Sequence, residues 1–408
     1  MTLYSDIGDA TIDTGPEVFR VMIVDDSAFI RGAIARAIES DEALRVVSSI
    51  PNGEQAISSL RREPVDVIVL DIEMPVMDGL TALPKLKDID GGVQIIMAST
   101  LTQKNAEISL KAMSLGATDY IPKPSSGHEV NAAEDFRREL VAKVKALGSL
   151  ARRSGVRPVV RPFPTSDKKP LSEQEKAHIK VSQDVARKSQ ERLVLAHPLG
   201  AAAKRPIILR TEPITKPQVI AIGSSTGGPQ ALFKVIKEMG SGLPQPIVIT
   251  QHMPPSFTTI LAEHITKQCG VVCQEARDGE RLVAGRYYIA PGDYHMVLKG
   301  TAGNVAIKLN QDPPENFCRP SVDPMVRSLA PIFGRNVLVV ILTGMGADGT
   351  RSCELIVQNG GSVIAQDEAT SVVWGMPGSV ATAGLCSAVL PVAEIGGFVR
   401  KTALGMRA

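Results

Sequence analysis

Arg20-Val21-Met22-Ile23-Val24-Asp25-Asp26-Ser27 is an apolar run that stops on two adjacent carboxylates. A short run of Val, Met and Ile bounded by charge has the length and composition of a strand buried on both faces. Three more such runs follow, Val65–Leu70, Val93–Ala98 and Asp119–Ile121, and helical patterns at Ala28–Glu39 and Gly53–Arg62 lie among them. Alternating units of this size predict a doubly wound α/β domain with a parallel sheet. In such a sheet, ligands gather at the carboxyl ends of the strands. Asp25 and Asp26 stand at one such end, Asp71 closes the Val65–Leu70 run, and Lys123 follows Asp119–Ile121.

Carboxylates converging at one sheet edge bind a hard divalent cation such as Mg2+. One of them can accept a phosphoryl group once the cation neutralises the incoming charge. Lys123 supplies positive charge to the phosphoryl oxygens, and Ser99 or Thr100, ending the Val93–Ala98 run, a hydroxyl donor. A single Asp at a strand end is usually a cap or turn residue; the combination with Lys123 favours a site. The segment resembles the receiver domain of bacterial response regulators, through Val24–Ser27, Asp71-Ile72-Glu73-Met74-Pro75-Val76-Met77-Asp78-Gly79 and Lys123-Pro124. That resemblance implies a flavodoxin-like, five-stranded parallel sheet over residues 19–140, with Asp71 as the phosphorylated residue. It further implies that Asp26 and Asp71 hold Mg2+, that Asp25 helps through water, and that the Glu73 carbonyl completes the site.

With 408 residues the chain exceeds what one core supports, since cores stop growing at roughly 250–300 residues. Lys and Arg number 45 against 43 Asp and Glu, a net charge of +2 that leaves no global footprint for nucleic acid. Aromatic residues are 4% of the chain, so its cores are built from aliphatic side chains, as suits parallel sheets. Five cysteines without a CxxC ladder read as reduced residues of a cytosolic protein. Asp6, Asp9, Asp13 and Glu17 give the N-terminus the wrong charge for a signal peptide, and no stretch reaches the ~20 apolar residues of a membrane span. The expectation is a cytoplasmic protein without membrane insertion. From about Ala151 to Lys216 Arg, Lys, Pro, Ser and Gln dominate, the composition of a solvated tether, with a polar, transient helix at Ser172–Leu195.

The α/β rhythm returns at Pro217. Val219–Ile222, Pro246–Thr250, Tyr287–Ala290 and Asn336–Leu342 read as strands, and Pro229–Met239, Ser321–Pro331 and Gly349–Gln358 as helices. Gly223-Ser224-Ser225-Thr226-Gly227-Gly228 joins the first strand to the first helix and fits G-x-S-x-G with Ser225 at its centre. A Gly-rich turn there serves equally to cradle a phosphate. His252 closes the second strand and Asp348 follows the last, so nucleophile, base and orienting carboxylate all fall at strand ends. His264, His295, Asp293 and Asp323 are the rivals for these roles, and none follows so clear a strand.

This half resembles the catalytic domain of chemotaxis protein-glutamate methylesterases. The residues that carry the resemblance are Ile220–Gly228, Thr250-Gln251-His252-Met253-Pro254-Pro255, Tyr288–Asp293, Arg319–Asp323, Ile341–Gly349 and Gly375-Met376-Pro377. It implies a Ser225, His252, Asp348 triad, with the backbone amides of Met345 and Thr226 as oxyanion hole. Ser224 stands where the family often has Ala, and the tether is longer than that family's hinge. The expected organisation is a receiver at 19–140, a flexible basic linker at 141–216, and a Rossmann-like, mostly parallel-sheet catalytic domain at 217–400.

The implied activity is a phosphorylation-activated serine esterase that demethylates glutamyl esters of methyl-accepting chemotaxis receptors with release of methanol, in chemotaxis adaptation. The same acyl chemistry extends to glutamine amides, and the triad alone does not decide whether it is used. A chemotaxis histidine kinase is the implied phosphodonor, and the esterase reaction needs no cofactor. The competing class is a response regulator whose output binds nucleotide or DNA. Against it, the run Ile247–Thr250 leads to Gln251 and His252 rather than to the acidic residue of a dinucleotide site, and no basic recognition helix is evident.

Overall fold

The structure is a computed structural model that describes residues 18–100, 102–123, 130–153, 207–211 and 215–406. Its first sheet contains β1 (Phe19–Val24), β2 (Leu44–Ile50), β3 (Val67–Asp71), β4 (Gln94–Ser99) and β5 (Asp119–Pro122), parallel throughout, in the order β2-β1-β3-β4-β5. Helices α1 (Ala28–Ile38), α2 (Gly53–Arg62), α3 (Gly79–Ile89) and α4 (Gln103–Ser114) start at Ser27, Asn52, Asp78 and Thr102, whose side chains each accept a backbone N–H of the first turn. The edge strand β2 was not foreseen: its half-exposed Arg45-Val46-Val47-Ser48-Ser49 lacks the continuous apolar run of the central strands.

Helix α5 (Val130–Arg153) runs beyond the boundary expected at residue 140. Leu140, Val144 and Leu147, at helical spacing, are fully buried among Phe19, Val21 and Ile34, so the first part of the expected linker is a core helix. Residues 154–206 of the expected linker, with the polar helix foreseen at Ser172–Leu195, lie outside the described residues, as do 212–214; at its far end the Arg210 amide donates to the Cys386 carbonyl at 2.9 Å and Thr215 Oγ1 to the Arg335 carbonyl at 3.0 Å.

The second sheet has seven strands, all parallel: β6 (Val219–Ser224), β7 (Ile247–Gln251), β8 (Val272–Glu275), β9 (Arg286–Ile289), β12 (Val337–Ile341), β13 (Ser362–Gln366) and β14 (Ala388–Leu390). A separate antiparallel hairpin pairs β10 (His295–Thr301) with β11 (Asn304–Asn310). The sheet is flanked by α6 (Gly228–Met239), α7 (Phe257–Cys269), α8 (Val322–Phe333), α9 (Thr350–Gln358), α10 (Met376–Thr382) and α11 (Val392–Leu404), the last passing the expected end at residue 400. Its order, β14-β13-β12-β6-β7-β9-β8, reverses direction between β12 and β6. A crevice forms at such a switch point, outside the carboxyl ends of the two strands.

The two α/β regions touch through the α4–β5 side of the first. Tyr120 stacks on Phe257 with ring centroids 4.6 Å apart and planes 17° from parallel, and Gln230 Nε2 donates to the Ala117 carbonyl at 2.8 Å. The Arg138 guanidinium lies 4.3 Å above the Phe317 ring.

Candidate functional site

Asp25 and Asp71 face one another because Val24 pairs with Leu70 in register and each Asp is the next residue. Both are buried, whereas Asp26 is exposed. One oxygen of each of Asp25, Asp26 and Asp71 lies within 4.8 Å of the others. Lys123 Nζ reaches Asp25 Oδ2 at 2.8 Å and Asp71 Oδ1 at 2.7 Å, and its own amide is tied to the Ser99 carbonyl at 2.7 Å. Burial raises the Asp71 carboxyl to about 6 although Lys123 pulls it down. One lysine against three carboxylates leaves a half-buried excess of negative charge, which fits a divalent cation. Ser99 is buried with its hydroxyl 3.3 Å from that of Ser109, while Thr100 is exposed and accepts from Asn105 Nδ2. The Glu73 side chain points away, paired with Lys104 at 2.9 Å.

In the second region Ser224 pairs with Gln251, so Ser225 and His252 are neighbours beyond adjacent strand ends, and the His252 amide donates to the Ser224 carbonyl. Gly227 takes φ 72°, open to glycine, and turns the chain from β6 into α6. Gly344 lies against Ser225; a Cβ there would sit 2.9 Å from the serine Cβ. Ser224 is fully buried and donates to Gln251 Oε1 at 2.7 Å, which removes it as a rival nucleophile. Gln251 Nε2 in turn donates to the carbonyls of Ser225 and His252, a brace that the motif did not reveal.

Asp348, buried after β12, joins His252 Nε2 at 2.7 Å through Oδ2. It also accepts from the amides of Val322 and Asp323, from Ser321 Oγ and from Asn316 Nδ2. These donors outweigh burial and hold its carboxyl low. The other ring nitrogen of His252 sits 3.3 Å from Cys318 Sγ, and no hydrogen bond joins the ring to Ser225 among the described residues. Burial pushes the imidazole down, but Cys318 and Asp348 together raise it to about 10. The amides of Thr226 and Met345 donate to no acceptor among the described residues.

Residues 220–399 match the family model described as CheB methylesterase, and residues 21–134 that of the response regulator receiver domain. A protein-glutamate methylesterase/protein-glutamine glutaminase of group 2 operon from Rhodospirillum centenum is 56% identical over 407 residues, covering 95% of each chain. The Azospirillum brasilense protein-glutamate methylesterase/protein-glutamine glutaminase is 54% identical over 403 residues, 97% of this chain and 95% of that one. The chain belongs to this methylesterase/glutaminase family. Among solved structures, the Thermotoga maritima CheB methylesterase catalytic domain is 42% identical with a TM-score of 0.44, covering 45% of this chain and 98% of that one.

Within this methylesterase framework the rival residues have structural partners. His295 is buried between the Ser321 amide and the Pro313 carbonyl, and Asp293 pairs with Arg319 at 2.6 Å. His264 lies on α7, where burial and then Lys267 lower its pKa. Asp323 accepts from the Ser352 amide and from Asn316. Asn316 and Cys318 escaped the sequence reading, although they adjoin the quoted Arg319–Asp323 motif.

Proposed function

We propose that the chain is a protein-glutamate methylesterase of chemotaxis adaptation whose serine chemistry is switched by phosphorylation of its receiver. The observation that carries this is the arrival of Ser225, His252 and Asp348 just beyond β6, β7 and β12, three neighbouring strands meeting at the switch point. Because Asp348 holds Nε2, His252 receives the Ser225 proton at Nδ1. The serine oxygen attacks the carbonyl carbon of a receptor glutamyl methyl ester. The Thr226 and Met345 amides stabilise the oxyanion. His252 then gives that proton to the methoxy oxygen as its bond to the carbonyl carbon breaks, releasing methanol, and a water activated by the same ring hydrolyses the acyl-enzyme. Glutamine amides enter the same path with ammonia as leaving group, consistent with the second activity in the relatives' names.

In the receiver, Asp71 is the phosphoryl acceptor, Lys123 and Ser99 bind the phosphoryl oxygens, and Asp25, Asp26, Asp71 and the Glu73 carbonyl would hold Mg2+. When bound, that ion neutralises charge on the transferring group. The phosphodonor is a chemotaxis histidine kinase, the substrates are methyl-accepting receptors, and the site of action is the cytoplasm. No helix among the described residues is long and apolar enough to cross a membrane. The test is methanol release from methylated receptors with and without acetyl phosphate. Release that the phosphodonor raises and Ser225→Ala abolishes supports the reading; release unchanged in Ser225→Ala overturns it.

A further inference from the structure

Two buried carboxylates lie side by side next to the catalytic imidazole, and one neutral side chain separates them. Asp348 and Asp323 are 1% and 2% exposed. Asn316 Nδ2 donates to Asp348 Oδ1 at 2.8 Å and to Asp323 Oδ2 at 3.0 Å. Both partners only accept, so the amide nitrogen must be the atom that faces them, one hydrogen to each. Like charges no further apart than these two bonds laid end to end repel strongly in a poorly solvated site.

The backbone indicates that the amide is held there by design of the loop. Asn316 and Phe317 adopt φ of 52° and 63°, a conformation L residues rarely take in succession, in a short loop closed by a bridge between Glu315 and Cys318. Asn tolerates it better than most side chains, and strain of this kind concentrates at functional sites. The loop also delivers Cys318 to His252 Nδ1. It therefore touches both members of the Asp–His pair.

We infer that Asn316 is a positioning residue of the esterase: its amide shields Asp348 from the charge of Asp323 and keeps Asp348 Oδ2 aimed at His252. The inference rests on the triad proposed above. The titratable groups around the imidazole are Asp348 after β12, Cys318 in the loop, Asp323 in the first turn of α8, and Glu315, itself paired with Arg327. Buried His295 lies behind Ser321. Negative charge stabilises the imidazolium, and the amide screens the charge of Asp323, so loss of the amide moves the acid limb of the reaction to higher pH.

The experiment uses the full chain and follows the rate at which a fluorophosphonate labels Ser225 as a function of pH, beside kcat and KM for methanol release. Asn316→Asp keeps the size of the side chain and its tolerance of the left-handed conformation. It should slow labelling at neutral pH by ~10- to 100-fold, raise the acid limb, and lower kcat with KM unchanged. Asn316→Ala, which removes the donor without adding charge, should shift the limb in the same direction by less. Adding Asp323→Asn to either variant should bring the limb back toward wild type, with thermal unfolding near wild type as the folding control. A limb that stays in place, or a loss that Asp323→Asn leaves untouched, reduces Asn316 to a loop residue and overturns the inference. Wild type that labels at Ser225 but releases no methanol defeats the substrate assignment alone, and the labelling arm still decides Asn316. Wild type that does not label at Ser225 overturns both.

Discussion

The receiver pocket and the esterase cleft both sit at a switch point of a parallel sheet, yet one is assembled and the other is not. In the receiver, Lys123 already contacts Asp25 and Asp71. In the cleft, Asp348 and His252 are joined while the second ring nitrogen faces Cys318 instead of Ser225. Converging charges need only strand ends that meet, and attraction is forgiving about angle. Proton transfer from a serine needs a directed hydrogen bond, which depends on ring orientation and on a loop, residues 315–318, that belongs to neither strand.

The largest effects should come from breaking the cleft. Ser225→Ala, His252→Gln and Asp348→Asn are expected to fold and to lose ~10^4-fold or more in kcat, with double variants little worse than single ones, because the members act as a unit. Ser224→Ala, which loses a hydroxyl that donates to Gln251 Oε1, should stay active in the same methanol assay.

Next in size is the effect of releasing the ring from Cys318. As the proposed base, His252 works only when neutral, and its pKa is raised to about 10, so kcat/KM of the unphosphorylated enzyme should climb with pH well above the ordinary 6.5 of histidine. Cys318→Ala should move this limb down toward 6.5 and raise the neutral-pH rate; a pH–rate profile identical to wild type would show that the thiol contact does not govern the base.

For the receiver, Asp71→Asn should keep basal esterase activity and lose activation by acetyl phosphate. Because burial raises Asp71 to about 6, protons should compete with Mg2+ there, and calorimetric affinity should fall as pH drops through 6. Affinity flat from pH 7 to pH 5 would place the ion elsewhere. The smallest effect is expected between the regions. Tyr120→Ala removes a ring stack of roughly 0.5–1.5 kcal/mol and, where that contact restrains the cleft, should raise the basal rate by up to ~10-fold.

Central strands and motif residues were legible because a strand buried on both faces must be apolar along its length, and a chemistry-bearing residue at its end then stands out. Val219–Ile222 with Ser225, and Val65–Leu70 with Asp71, are such cases. The edge strand Leu44–Ile50 carries Arg45 and two serines and loses that signature. The receiver boundary expected at residue 140 falls inside α5, whose basic residues, such as Lys143, Lys145, Arg152 and Arg153, resemble those of the linker that follows, whereas burial of Leu140, Val144 and Leu147 makes this stretch part of the core. Asn316 and Cys318 show no local pattern, since their roles exist only once β12 brings Asp348, and β7 brings His252, beside their loop.

The strand order carries a consequence for synthesis. The central strand β6 pairs on one side with β7 and on the other with β12, where Val219 meets Val337, 118 positions later; the central receiver pair joins Val21 to Val67, only 46 apart. In closure entropy the difference is small, about 0.8 kcal/mol from the logarithmic dependence on loop length. On the ribosome it is a delay: at 5–20 residues per second, roughly 6–24 s separate the emergence of β6 from that of its second partner. Through that interval the receiver sheet is complete in sequence, while the edge of β6 that leads to Ser225 has an open row of backbone donors and acceptors, the moment at which a nascent esterase is most exposed to wrong strand pairing.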